Sequence, residues 1–106
     1  MNVKIVKLVT GEQLITIFEE VNDENGEGVG FKLTFPFVVV TTPLQQREGD
    51  TIKFDINYFA WMTASSDIEF IIPYSSVIAF ANPAKEVYDM YVEKYEEIVN
   101  ASSDTV

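Results

Sequence analysis

Two adjoining apolar stretches near the N-terminus, Val3 to Val9 and Gln13 to Val21, each predict a strand. Sorted by parity, Val6, Leu8, Leu14 and Phe18 share one side, whereas Val3, Ile5, Ile15, Ile17 and Val21 share the other. A strand with one wet face shows apolar residues on a single parity. Two apolar faces mean that this hairpin is covered twice, inside a barrel and beneath a helix or a neighbouring subunit. Thr10-Gly11 between the strands marks a tight reversal, for which glycine supplies the positive φ.

Asn22 to Gly30 is a polar, glycine-rich connection with an Asn25-Gly26 turn. Asp23, Asn25 and Glu27 invite a calcium-loop reading, but a twelve-residue loop opening at Asp23 needs an acid where Thr34 stands, so a hairpin loop is expected. Phe31 to Thr42 reads as a third strand, with Phe31, Leu33, Phe35, Phe37 and Val39 on one parity. Pro36 cannot donate to a ladder and marks a bulge, an edge or a bend, which suits a small barrel. A polar loop over Pro43 to Asp50 precedes a short strand over Thr51 to Ile56. Asn57 to Ser66 is an aromatic excursion without an assigned element, and Ile68 to Ile72 and Val77 to Phe80 are the last strands.

The C-terminal segment carries a helical period. Asn82 is suited to the N-cap and Pro83 to the first helical position. Ala84, Val87, Tyr88, Tyr91, Val92, Tyr95, Ile98 and Val99 fall on one arc, and Glu86, Asp89, Glu93, Glu96 and Glu97 cluster opposite. The expected organisation is a small β-barrel over residues 1–81, an amphipathic helix over 82–100 packed on it, and a frayed tail over 101–106.

At 106 residues the chain suffices for one domain with a modest core. It has no Cys, hence no disulfide framework or thiolate zinc site, which fits a reducing, cytoplasmic compartment. It also has no His, the usual general base near neutral pH. The serine pairs 65–66, 75–76 and 102–103 therefore lack an activating partner, and glycine-rich phosphate motifs are absent. No catalytic, cofactor or metal site is expected, and no apolar run is long enough to cross a membrane. The net charge of −10 argues against a generic phosphate-binding surface. However, Lys4, Lys7, Lys32, Arg47 and Lys53, five of the seven basic residues, lie in the first half and leave room for a local basic patch.

Two cadences carry a family resemblance. VKLVTGEQLITIF (Val6 to Phe18) is similar to the first motif of the Sm-like (LSm) family: an apolar strand, a glycine turn, then an apolar strand with a small residue, Thr16, at its middle. IPYSSVIAF (Ile72 to Phe80) resembles the second motif, whose corner leads through two polar residues into the last strand. The stretch from Asp67 through Asn82-Pro83 is also similar to uncharacterised Sm-like proteins of marine phages. The family's Arg-Gly corner is Pro73-Tyr74 here, and its Met-Asn pair is Phe31-Lys32. Its N-terminal helix has no counterpart.

The resemblance implies a mainly β fold, a small five-stranded, bent, SH3-like (Sm-like) barrel with a C-terminal α-helix. It further implies a homo-oligomeric ring, closed by pairing the fourth strand of one protomer with the fifth of the next, that binds single-stranded RNA or DNA near its pore. The candidate nucleic-acid-binding residues are Phe31, Lys32, Tyr74, Ser75 and Ser76, with Tyr74 as a stacking face and Lys32 as a phosphate contact. The apolar strand edges at Ile68, Phe70 and Ile72 and at Val77, Ile78 and Phe80 support self-association independently. The alternative is a protein-interaction or assembly module, a phage structural adaptor that offers its acidic helix to a host or phage protein. An acidic mimic of nucleic acid is a third reading.

Overall fold

A computed structural model describes residues 1–48 and 51–104. Strands β1 (Val3–Leu8) and β2 (Gln13–Asn22) form the expected hairpin, with Val3 opposite Ile17 and Val6 opposite Leu14. Gly11 adopts φ 97° at the reversal, where the Gly11 N–H donates to the Leu8 carbonyl. The connection from β2 to β3 (Gly28–Glu48) closes on Asp23, whose carboxylate accepts the Asn25 and Glu27 N–H groups. The Asp23 side chain thus serves its own turn, as a hairpin loop requires.

β3 is the spine of the sheet. One edge pairs with β2. The other edge pairs with β5 (Glu69–Ile72) over Phe31 to Thr34, and with β4 (Thr51–Ala60) from Phe37 onward. Between these two partners the β2–β3 register slips by one residue, because Ile15 faces Phe37 while Ile17 faces Thr34. Pro36 lies in this bulge and Phe35 beside it takes φ 49°, so the proline marks a bend as its missing N–H demands. Segments β4 and β5 follow the same edge of β3 in succession, and strand β6 (Val77–Ala81) closes against β1. The result is a bent, mainly β architecture of six antiparallel strands where the resemblance implied five, because the strands read over Thr51 to Ile56 and Ile68 to Ile72 are both present, as β4 and β5, separated by residues 61–68.

Two expectations for the middle of the chain are corrected. Residues 43–48 belong to β3 rather than to a polar loop; the remainder of that loop, 49–50, lies outside the described residues. β4 also runs through Asn57 to Ala60, which had no assigned element. Past Val39, β3 no longer pairs with β2, so β3 and β4 continue as a two-stranded ribbon. Residues 43–48 have β4 as their sheet partner there, so their polar pattern shows no core-facing alternation.

Both faces of the β1–β2 hairpin are covered. Val6, Leu8, Leu14, Phe18 and Leu33 form the core on one side, joined by Phe31, Trp61, Ile72 and Val77. On the other side, Val3, Ile15, Ile17 and Val39 pack under Val87 and Tyr91 of helix α1 (Lys85–Asp104). The second cover is therefore the chain's own helix. Tyr91 is fully buried and its hydroxyl completes the bulge. It accepts the Ile17 N–H (3.2 Å) and donates to the Thr34 carbonyl (2.9 Å), bridging β2 and β3 at the register slip. Thr16, also fully buried, places its hydroxyl 3.0 Å from the same carbonyl.

The helix bounds differ from expectation as well. The Ala84 carbonyl accepts the Tyr88 N–H, so the helix opens at Lys85, and Asn82 gives its side-chain oxygen to the Lys4 ammonium instead of capping. β6 runs to Ala81, and 82–84 are needed to carry the chain from the strand into the helix. At the other end the helix continues through residues 101–104, expected as tail, whereas 105–106 lie outside the described residues. Glu86, Asp89, Glu93, Glu96 and Glu97 are all exposed, as the period required.

Candidate nucleic-acid interface

The corner between β5 and β6 is a single 3-10 turn, Tyr74–Ser76. Pro73 precedes it in extended conformation, and its carbonyl accepts the Ser76 N–H; Ser76 in turn accepts the Val9 N–H through its own carbonyl. These bonds anchor the corner to the β1 hairpin and point Tyr74 across the start of β3. There its ring meets Phe31 at 87° with centroids 5.0 Å apart, an edge-to-face contact. Phe31 lies 4.4 Å from Phe18, and Phe80 lies 5.1 Å from Phe18. Four rings from β2, β3, the corner and β6 thus form one cluster. Tyr74 (38% exposed) and Phe80 (54%) are its water-facing members.

Two glycines make room for this arrangement. A methyl group at Gly28 would sit 1.8 Å from the Tyr74 hydroxyl, and one at Gly30 would sit 2.2 Å from the Ile72 carbonyl oxygen. β3 therefore begins without side chains where the corner crosses it. The phenol of Tyr74 is raised above its ordinary pKa by partial desolvation and by the Glu20 carboxylate that takes its hydrogen bond, while contact with the Gly30 backbone opposes the shift. Glu20 sits directly opposite Phe31 in the β2–β3 ladder, on the same face of the sheet.

Of the five residues singled out by sequence, Phe31 and Tyr74 come together, and Ser75 and Ser76 share their corner. Ser75 is exposed, whereas Ser76 is half-buried. Lys32 does not join them. As the residue after Phe31 it faces the other side of the sheet, where it forms a 3.5 Å ion pair with its cross-strand neighbour Glu19. Phe18, Phe80 and Glu20 belong to the cluster but were not legible as site residues. The closely spaced Gly28 and Gly30 were the available signal, since glycine at alternate positions of a strand marks close approach by another segment.

The arrangement offers exposed aromatic surface and a carboxylate acceptor, and no basic residue belongs to the ring cluster among the described residues. Among them no group of three or more Asp or Glu could hold a metal, and no helix is long and apolar enough to cross a membrane. A search of curated proteins finds no match. A comparison with family models matches the Sm-like domain over residues 5–92, from the first strand into the C-terminal helix. With that match spanning most of the chain, and a bent six-stranded antiparallel sheet consistent with the Sm-like fold, this protein belongs to the Sm-like domain family.

Proposed function

We propose that this chain is a non-catalytic subunit of a homo-oligomeric ring that binds single-stranded RNA, or single-stranded DNA, beside its pore and acts in nucleic-acid processing. The observation that carries the reading is the pair of open strand edges next to the aromatic cluster. Among the described residues β5 pairs with β3 alone and β6 with β1 alone. Ile71 (65% exposed) and Ile78 (63%) stand on these two edge strands, where an isolated monomer would be prone to edge-to-edge association. Pairing β5 of one copy with β6 of the next satisfies both edges and repeats the Tyr74 corner around a closed ring.

Within such a ring Tyr74 and Phe80 supply stacking surface, worth about 1–3 kcal/mol per base. Ser75 adds a hydroxyl, and the Glu20 carboxylate accepts a base N–H. Lys32 contributes to phosphate only by leaving Glu19, so binding rests more on stacking than on charge and depends on salt less steeply than for a basic surface. Light scattering tests the assembly, and fluorescence anisotropy with labelled oligo-U and oligo-A across salt tests the ligand. A stable monomer at micromolar concentration refutes the ring; an assembled ring that binds neither oligomer at low salt refutes the ligand.

A second reading has its own support. The exposed acidic face of α1 and the net charge of −10, repeated in every subunit, repel nucleic acid at long range and suit a ring that serves as an assembly adaptor, as in a phage particle. Under this reading a protein partner with a basic face survives nuclease treatment of a pull-down.

A further inference from the structure

We propose that the cleft between the 61–68 segment, the β3 bulge and the C-terminal half of α1 binds a small organic cation, an ammonium group carried on an apolar body. The cleft has a volume of about 320 Å³, at the lower end of small-molecule sites. Phe35, Phe37, Trp61 and Phe70 supply aromatic walls, Ile98 of α1 supplies an aliphatic one, and the exposed Asp67 stands at the rim.

Two observations make this more than a surface depression. Phe35 (φ 49°) and Met62 (φ 54°) are the two non-glycine residues with positive φ among the described residues, and both line this cleft. Left-handed backbone at such residues persists only where the surroundings hold it, and it concentrates at ligand-binding positions. Here the holding contacts are explicit. The Phe35 N–H donates to the Ile68 carbonyl (2.8 Å), the Trp61 N–H to the Pro36 carbonyl (3.1 Å), and the Ser65 N–H to the Met62 carbonyl (2.9 Å). The walls are tied to one another before any ligand arrives.

The second observation is the charge of the lining. Among the described residues it contains no Lys or Arg, and Asp67 is the one ionisable residue of the lining. Aromatic faces attract cations through their quadrupoles, and a rim carboxylate adds to that field, so a cation with an apolar body complements the walls and the rim together. Anions, phosphate included, are disfavoured, which separates this cleft from the nucleic-acid proposal and makes the two independent.

Trp61 is the only tryptophan in the chain, so intrinsic fluorescence reports on the cleft directly. The intact protein is titrated with benzyltrimethylammonium, with benzyl alcohol as the neutral probe and benzoate as the anion. The expected result is a saturable change with the cation, binding of benzyl alcohol about fivefold or more weaker, and none of benzoate. Asp67→Asn is expected to weaken the cation about fivefold and to leave benzyl alcohol unchanged. Failure of the cation to give a saturable response overturns the proposal. Equal binding of all three probes, or of cation and alcohol, also overturns it, since either means apolar adsorption alone. The probe series on the unaltered protein decides the matter even if the variant is misfolded.

Discussion

Tyr91→Phe removes one oxygen atom from the point where helix and sheet are joined, and its cost can be worked from the contacts. The Tyr91 hydroxyl accepts from the Ile17 N–H and donates to the Thr34 carbonyl, and the side chain has no exposed surface. In the variant the ring still fills its place, so no cavity term arises. The Ile17 N–H, by contrast, loses its partner in a site that water does not reach, which costs about 1–3 kcal/mol. The Thr34 carbonyl retains Thr16, so it adds little. A loss of about 2 kcal/mol corresponds to a fall in Tm of about 10 °C for a domain of this size. Urea unfolding at neutral pH measures it, with Tyr88→Phe on the exposed flank of the same helix as the control, expected within about 0.5 kcal/mol of the parent. Because Tyr91 and Thr16 share one acceptor, combining Tyr91→Phe with Thr16→Val orphans the Thr34 carbonyl as well. The double variant should lose about 1 kcal/mol more than the sum of the singles. A Tyr91→Phe protein as stable as its parent, or strict additivity in the double variant, would refute the account of the bulge.

Three further outcomes are expected. Burial pushes the Tyr91 phenol well above its ordinary pKa, so the folded state keeps a proton that the unfolded chain releases near pH 10; stability is complete below that pH and declines above it by up to about 1.4 kcal/mol per pH unit from this residue, a slope that alkaline denaturation should find reduced in Tyr91→Phe. Gly30→Ala sets a methyl against the Ile72 backbone and should destabilise the β3–β5 pairing by about 1–3 kcal/mol in thermal unfolding, whereas Gly28→Ala meets only the end of the Tyr74 side chain and should displace that ring at less than about 1 kcal/mol, visible as altered near-ultraviolet circular dichroism. Ile78→Lys places a charge on the outer strand β6 at an exposed position, so it should lower the mass measured by light scattering with little change in monomer stability; an unchanged mass would count against self-association through that edge.

Much of the architecture was legible in the residues. The two parities of Val3 to Val21 announced a hairpin buried on both sides, and the clusters around Leu14 and around Ile15 are those two sides. Pro36 announced a distortion of β3, and the helical period placed Val87 and Tyr91 inward and the acids outward. Phe31 to Thr42 and Thr51 to Ile56 were read as strands, but the continuation of β3 through residues 43–48 was not legible, because strands that pair only with each other are under no demand to alternate. The candidate site was half legible. Phe31 and Tyr74 meet, but their partners Phe18, Glu20 and Phe80 come from strands whose register no local pattern states.

Periodicity depends on which side of each element is hidden, and so the order of residues determined the strands, the helix and the faces they bury. Contacts between elements depend on register and crossing, which are settled only when all the strands compete for the same edges. Tertiary structure therefore decided that α1, not a neighbouring copy, covers the second face of the hairpin. It also decided that one tyrosine hydroxyl bridges β2 and β3 at the register slip, and that Lys32 turns away from the residue beside it. The physical reason is the same in each case: apolar burial needs only a side, but a hydrogen bond or a ring contact needs a position.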